Sequence, residues 1–126
     1  MKILKFIFFV NIFLSNQAAW AKNQELLPDR DGARNYLIDN SKKKIFADAF
    51  KFKVITNFVH PTKEGAKSAV SAYYISCRMQ RLGYLNWRTY SRPWAKGRII
   101  SIDNSRHFEQ IEGDPRNLEM QKIICG

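Results

Sequence analysis

KSAVSAYYISCR, Lys67 to Arg78, is the stretch whose reading decides the fold. In an extended chain successive side chains point to opposite faces. Ala69, Ser71, Tyr73, Ile75 and Cys77 then share one side, and Ser68, Val70, Ala72, Tyr74 and Ser76 the other. Neither side carries a charge between Ser68 and Ser76. A segment uncharged on both faces and containing β-branched and aromatic residues fits a central strand better than an edge. It also holds one of the chain's two cysteines, and the other, Cys125, is the penultimate residue. The inference is a bridge that ties the end of the chain to the middle of a sheet.

Upstream, Ala49 to Val59 alternates: Phe50, Phe52, Val54, Thr56 and Phe58 on one side, Lys51, Lys53, Ile55 and Asn57 on the other. This predicts a half-buried antiparallel strand whose aromatic side faces the core. His60-Pro61 ends it, and Thr62 to Ala66 with Gly65 is a hairpin-length loop into the central strand. Downstream, Gly83 reads as a turn, after which Tyr84 to Ser91 alternates again, with Leu85, Trp87 and Thr89 opposing Tyr84, Asn86, Arg88 and Tyr90. Arg92 to Gly97 reads as a loop, and Arg98 to Asp103 as a last short strand. With Asn35 to Asp39 as a first short strand, the pattern is a meander of about five strands.

Asp114-Pro115 changes the pattern, because a capping residue followed by proline at the first helical position starts helices and not strands. Leu118, Gln121 and Cys125 lie near one helical stripe, widened by Met120, Ile123 and Ile124, and Gly126 stands where a C-terminal cap belongs. Pro115 to Cys125 is therefore read as a helix packed on the sheet, with a terminal strand as the alternative. The fold class expected is α+β: a small, mainly antiparallel sheet, a C-terminal helix and one disulfide.

Residues 1–21 stand apart from this pattern. Lys2 and Lys5, an apolar run from Phe6 to Leu14 and the Ala19-Trp20-Ala21 triplet have the form of a Sec signal peptide cut after Ala21. The run is too short to span a bilayer, and no other long apolar run follows. The expected mature chain has 105 residues, enough for one small domain with one core. Residues 22–33, with Pro28 and the charged DRDG run, read as a flexible lead-in, and 34–126 as the domain. Export to a periplasmic or extracellular destination favours a persistent Cys77–Cys125 bridge. Closing a loop of about 49 residues is worth roughly 4 kcal/mol in the chain-entropy model.

The formal charge of +10 falls to +8 without Lys2 and Lys5, so the mature domain is drawn to anionic surfaces or acidic partners. Neither GxxxxGK[ST], GxGxxG, GxSxG, HxxxH nor CxxC occurs, so no cofactor, metal site or nucleophilic serine is expected. His60 and His107 invite comparison with ribonuclease-like acid–base catalysis, which gives the alternative reading of a small secreted basic hydrolase. The preferred reading is a non-catalytic binding module. Its candidate surface is Tyr84, Arg88, Tyr90, Arg92, Trp94, Lys96 and Arg98, since interleaved aromatics and cations stack on sugars and hold anionic groups. An acidic protein or anionic glycan is the expected partner, with no specific nucleic-acid recognition; oligomeric state is left open. The competing reading is that one aromatic side packs the core while the arginines are merely solvated.

The NYLID strand, the long strand KSAVSAYYISC ending in cysteine, Tyr90-Ser91 followed by Gly97, and the closing IIC together resemble the surface-adhesin protein E family of Gram-negative bacteria. The resemblance spans residues 34 to 126. It implies a small antiparallel sheet with a helix and a cysteine bridge, and a role in binding host matrix or plasma proteins. No cysteine stands near the predicted cut, so the lipidated cysteine of the family's named member has no counterpart there. The matching motifs are those of the scaffold, and no ligand-contacting residue is carried over.

Overall fold

The computed structural model describes residues 23–46, 48–111 and 114–126. The expected signal peptide and its cut lie outside the described residues. The strands are β1 (Gln24–Glu25), β2 (Arg34–Leu37), β3 (Lys43–Phe46), β4 (Ala49–Asn57), β5 (Ser68–Ser76), β6 (Arg81–Arg92), β7 (Lys96–Asp103) and β8 (His107–Gln110); the helix is α1 (Pro115–Cys125). They form one antiparallel sheet in the order β1-β2-β4-β5-β6-β7. β3 pairs with β4 beyond the end of β2, and β8 with β6 beyond the end of β7. The fold class is the one expected, with eight strands among the described residues in place of about five. The three additional strands are two to four residues long, too short for an alternation to stand out.

β5 is central, as its uncharged pattern predicts, pairing along its whole length with β4 on one side and β6 on the other. One face of the sheet is covered by α1 and the N-terminal segment. There Phe52, Val54, Tyr73, Ile75 and Leu82 pack with Ile111, Met120, Ile124 and Leu26 into the core. Leu26 corrects the reading of residues 22–33 as a lead-in: β1 pairs with β2, and Leu26 is buried against the sheet. Two adjacent leucines in a charged run carry no periodicity, so which of them is buried was not legible.

The helix spans the predicted residues. Asp114 caps it, accepting from the Arg116 amide at 2.9 Å, and the Gly126 amide closes its last turn on the Lys122 carbonyl. Cys77 and Cys125 are bridged, with Cα atoms 5.7 Å apart. The buried stripe, however, is Asn117, Met120 and Ile124, while Leu118 points outward. Three ties set this rotation: the disulfide, an Arg116–Asp29 ion pair at 2.9 Å, and the Leu27 amide donating to Glu119 Oε1 at 2.7 Å.

Gly83 is not a turn. It lies inside β6, and the turn is residues 77–80, where Gln80 takes a positive φ of 54°. The absence of a side chain at Gly83 serves packing, because a Cβ there would strike the ring of Phe108 on β8.

Candidate binding surface

Strand register decides which of the candidate side chains meet. Tyr84 is in register with Tyr73, and Tyr73 with Phe52; Arg88 is in register with Val70, and Val70 with Ile55. Phe52 and Ile55 are three residues apart on β4, an odd number, so the two rows face opposite ways. The cause lies on β6. Ala72 pairs with Asn86 and Tyr73 with Tyr84, leaving Leu85 as the extra residue of a β-bulge. A uniform alternation put Tyr84, Arg88 and Tyr90 on one face; the bulge separates Tyr84 from the other two.

Tyr84 belongs to the helix side. Its ring lies 4.6 Å from that of Tyr73, whose hydroxyl donates to the Tyr84 hydroxyl at 3.1 Å. Burial, followed by the neighbouring Tyr84, pushes the Tyr73 hydroxyl pKa well up, so it stays a neutral donor. These rings line a cleft of about 290 Å³ with Trp87, Asn35, Arg116 and Glu119. Its polar groups are largely engaged with one another. Asn35 Nδ2 donates to the Leu27 carbonyl and Asp29, its Oδ1 accepts from Thr56, and Arg116 bridges Asp29 and Asp114. The side-chain bond from Arg116 holds the Asp114 pKa below the usual carboxylate range.

Arg88 and Tyr90 belong to the open face, away from the helix. Their register partners on β7 are Ile102 and Ile99, both about half exposed. Trp94 joins them, its ring centroid 4.6 Å from that of Tyr36. The turn that presents Trp94 is built from polar side chains of three strands. Ser68 Oγ donates to the Arg92 carbonyl at 2.6 Å and accepts from the Ala95 amide at 2.9 Å, and Asn57 Oδ1 accepts from the Trp94 amide at 2.8 Å. Trp94 and Ala95 take positive φ, and Gly97 at φ 81° leaves room for Ser91 Oγ, which accepts from the Arg98 amide at 3.0 Å. Arg92, Lys96 and Arg98 surround this turn, all exposed, with Arg92 and Lys96 in direct register. Six of the seven candidates thus gather at or beside one corner of the open face and its rim.

Charge divides between the faces. The open-face rows carry Arg34, Lys43, Lys51, Lys53, Arg81 and Arg88. The one carboxylate in those rows among the described residues is Glu25, and it is paired with Arg34 at 2.6 Å. Asp29, Asp114 and Glu119 line the cleft on the helix side. Tyr36, Ile99 and Ile102 were missed by sequence reasoning, since nothing local shows that they neighbour Trp94, Tyr90 and Arg88. The lysines of β4 were visible as one side of a clean alternation.

The two histidines are far apart. His60 follows β4 at its Asn57 end, while His107 sits on β8 in register with Tyr84. From Phe52, in the row of Tyr84, to Asn57 is roughly 17 Å along the strand, and three strand spacings add about 14 Å across it. The two rings therefore do not share one small substrate. Among the described residues no cluster of His, Cys, Asp and Glu could hold a metal ion, and no helix is long and apolar enough to cross a membrane.

The fold has solved counterparts. Haemophilus influenzae protein E, in its crystal form II, superposes with a TM-score of 0.67 at 18% identity, over 82% of this chain and 87% of that one. The protein E of non-typeable Haemophilus influenzae gives 0.62 at 18% identity, over 82% and 83%. A search of curated proteins finds no match. The sequence model of surface-adhesin protein E matches residues 20–126, and the chain belongs to that family.

Proposed function

We propose that this chain is an exported, non-catalytic binding module that recognises an acidic protein or an anionic glycan of the host matrix or the bacterial envelope. Arg88, Tyr90, Arg92, Trp94, Lys96 and Arg98 make the contact. The observation that carries the reading is the convergence of Arg88, Tyr90 and Trp94 on the open face beside Tyr36, Ile99 and Ile102. Aromatic rings there offer flat apolar area, and the surrounding guanidinium groups offer bidentate bonds to carboxylate or sulfate. Membership of an adhesin family supports binding over catalysis, as does the separation of His60 from His107.

Retention on sulfated dextran, against neutral dextran, tests the reading across a salt series with wild type and an Arg88→Ala/Arg92→Ala/Arg98→Ala variant. Exposed charges are screened over about 10 Å at 0.1 M salt, so retention is expected to fall as salt rises and to be lost in the variant. A pull-down from envelope extract and host matrix then identifies the partner. Retention indifferent both to salt and to the triple substitution overturns the reading.

A further inference from the structure

At the other end of the open face lies a groove of about 630 Å³, lined by Ile45, Lys51, Tyr74, Leu85, Asn86, Asn104, Arg106 and Phe108. We propose that it is a binding site for a single amphiphile with an anionic head, a carboxylate or phosphate carried on an aliphatic chain. The site stands apart from the surface at Arg88 to Arg98 and does not depend on it.

Three observations converge. The first is composition: apolar and aromatic side chains, two amides and two cations line the groove, and no carboxylate does. Within a basic domain a plain cation patch would call for a simple anion. Here half of the lining is apolar, and Ile45 and Phe108 stay 41% and 52% exposed at its rim. Side chains of that size left in water beside two cations match a ligand that is itself apolar at one end and charged at the other.

The second is how the lining is made. On β3, Lys44 pairs with Phe50 and Phe46 with Ala49, so Ile45 is the extra residue of a bulge; Leu85 is the extra residue on β6. Bulges re-aim side chains that a regular ladder would turn elsewhere. These two, on strands separated by β4 and β5, both deliver their extra residue to this groove. Gly83 contributes as well, since only a residue without Cβ lets the Phe108 ring lie across β6, where it meets Tyr74 edge-on at 6.3 Å.

The third is electrostatic. Lys51 is in direct register with Lys43, and both are exposed. Like charges directly opposed across antiparallel strands repel. Among the described residues no carboxylate forms an ion pair with Lys43, Lys51 or Arg106. An anionic head seated between Lys51 and Arg106 relieves that repulsion, with Asn86 and Asn104 as further donors and the chain lying along Ile45, Leu85 and Phe108.

Dodecyl phosphate below its micelle concentration is the probe, titrated calorimetrically into the mature protein. Inorganic phosphate, which lacks the tail, and dodecyl maltoside, which lacks the charge, are the comparisons. Dodecyl phosphate is expected to bind one to one and at least about tenfold more tightly than either, because charge-assisted bonds and chain burial are each worth more than 1.4 kcal/mol. Lys51→Gln/Arg106→Gln is expected to lose about tenfold in affinity, and Ile45→Ser to weaken binding in proportion to tail length. All three positions are exposed, so the fold survives, which circular dichroism checks. The Arg88→Ala/Arg92→Ala/Arg98→Ala variant is expected to bind dodecyl phosphate like wild type, so failure here and failure of the proposed function are separable. Equal affinity for phosphate or for the maltoside, or indifference to Lys51→Gln/Arg106→Gln, overturns the proposal. So does capture by phosphatidylglycerol vesicles with no binding of the dispersed amphiphile, which would assign the face to a bilayer surface.

Discussion

The helix-covered face and the open face of this sheet are made from alternate residues of the same strands, yet they differ in what they leave in water. On β4, Phe52 and Val54 are almost wholly buried under the helix while Lys51 and Lys53, which alternate with them, stand in water. The covered face is closed by covalent and ionic ties, and its polar groups are spent on one another. The open face keeps cations, aromatic rings and isoleucines exposed. Stability resides on the covered side and the proposed recognition on the other, so substitutions on the two sides should report different quantities.

The sharpest break of that division is removal of the bridge. Cys77→Ser/Cys125→Ser is expected to lose about 4 kcal/mol of unfolding free energy, from the loop that 48 residues of separation close. Urea unfolding of oxidised and reduced protein measures it. An unchanged midpoint would mean that burial alone holds the helix on the sheet.

Truncation on each side is the next comparison. Leu82→Ala, in the core, should cost roughly 3 kcal/mol, whereas Ile102→Ala on the open face should fall within about 0.5 kcal/mol of wild type. Similar losses from the two would show that something packs on the open face in solution.

A smaller effect concerns the helix start. Asp114 has its pKa lowered chiefly by the Arg116 side-chain bond, so its contribution is present above the usual carboxylate range and lost as pH falls through the folded-state value. Asp114→Asn retains a capping side chain but drops the charge. Wild type should be more stable by roughly 0.5 kcal/mol at pH 7, with the gap closing below about pH 4. A gap that persists at pH 2 would assign the effect to capping geometry. The smallest expected change is in the stability of the triple arginine variant, within about 0.5 kcal/mol, read from denaturant curves beside its loss of retention on sulfated dextran.

Much of the scaffold was legible because its signals are local. The alternation of β4, the uncharged run of β5, the Asp114-Pro115 start and the isolated pair of cysteines each depend on neighbouring residues or on simple counting. The facing of the candidate side chains was only partly legible, because a single bulge at Leu85 puts Tyr84 on the other face from Arg88 and Tyr90. Nothing in the residues around Leu85 marks that insertion. It arises from matching β6 to β5 on one flank and to both β7 and β8 on the other.

What the amino-acid order determined by itself was therefore periodicity, termini and covalent partnership: where strands run, where the helix begins and stops, and which two sulfurs join. Only the tertiary structure decided which side each residue faces around the bulges, that Leu26 enters the core, that α1 buries Asn117 in place of Leu118, and that Lys43 is set opposite Lys51. The physical reason is range. A strand's alternation is dictated by bond geometry between adjacent residues, whereas register, bulges and helix rotation are settled by contacts between segments tens of residues apart, whose balance no short window of sequence contains.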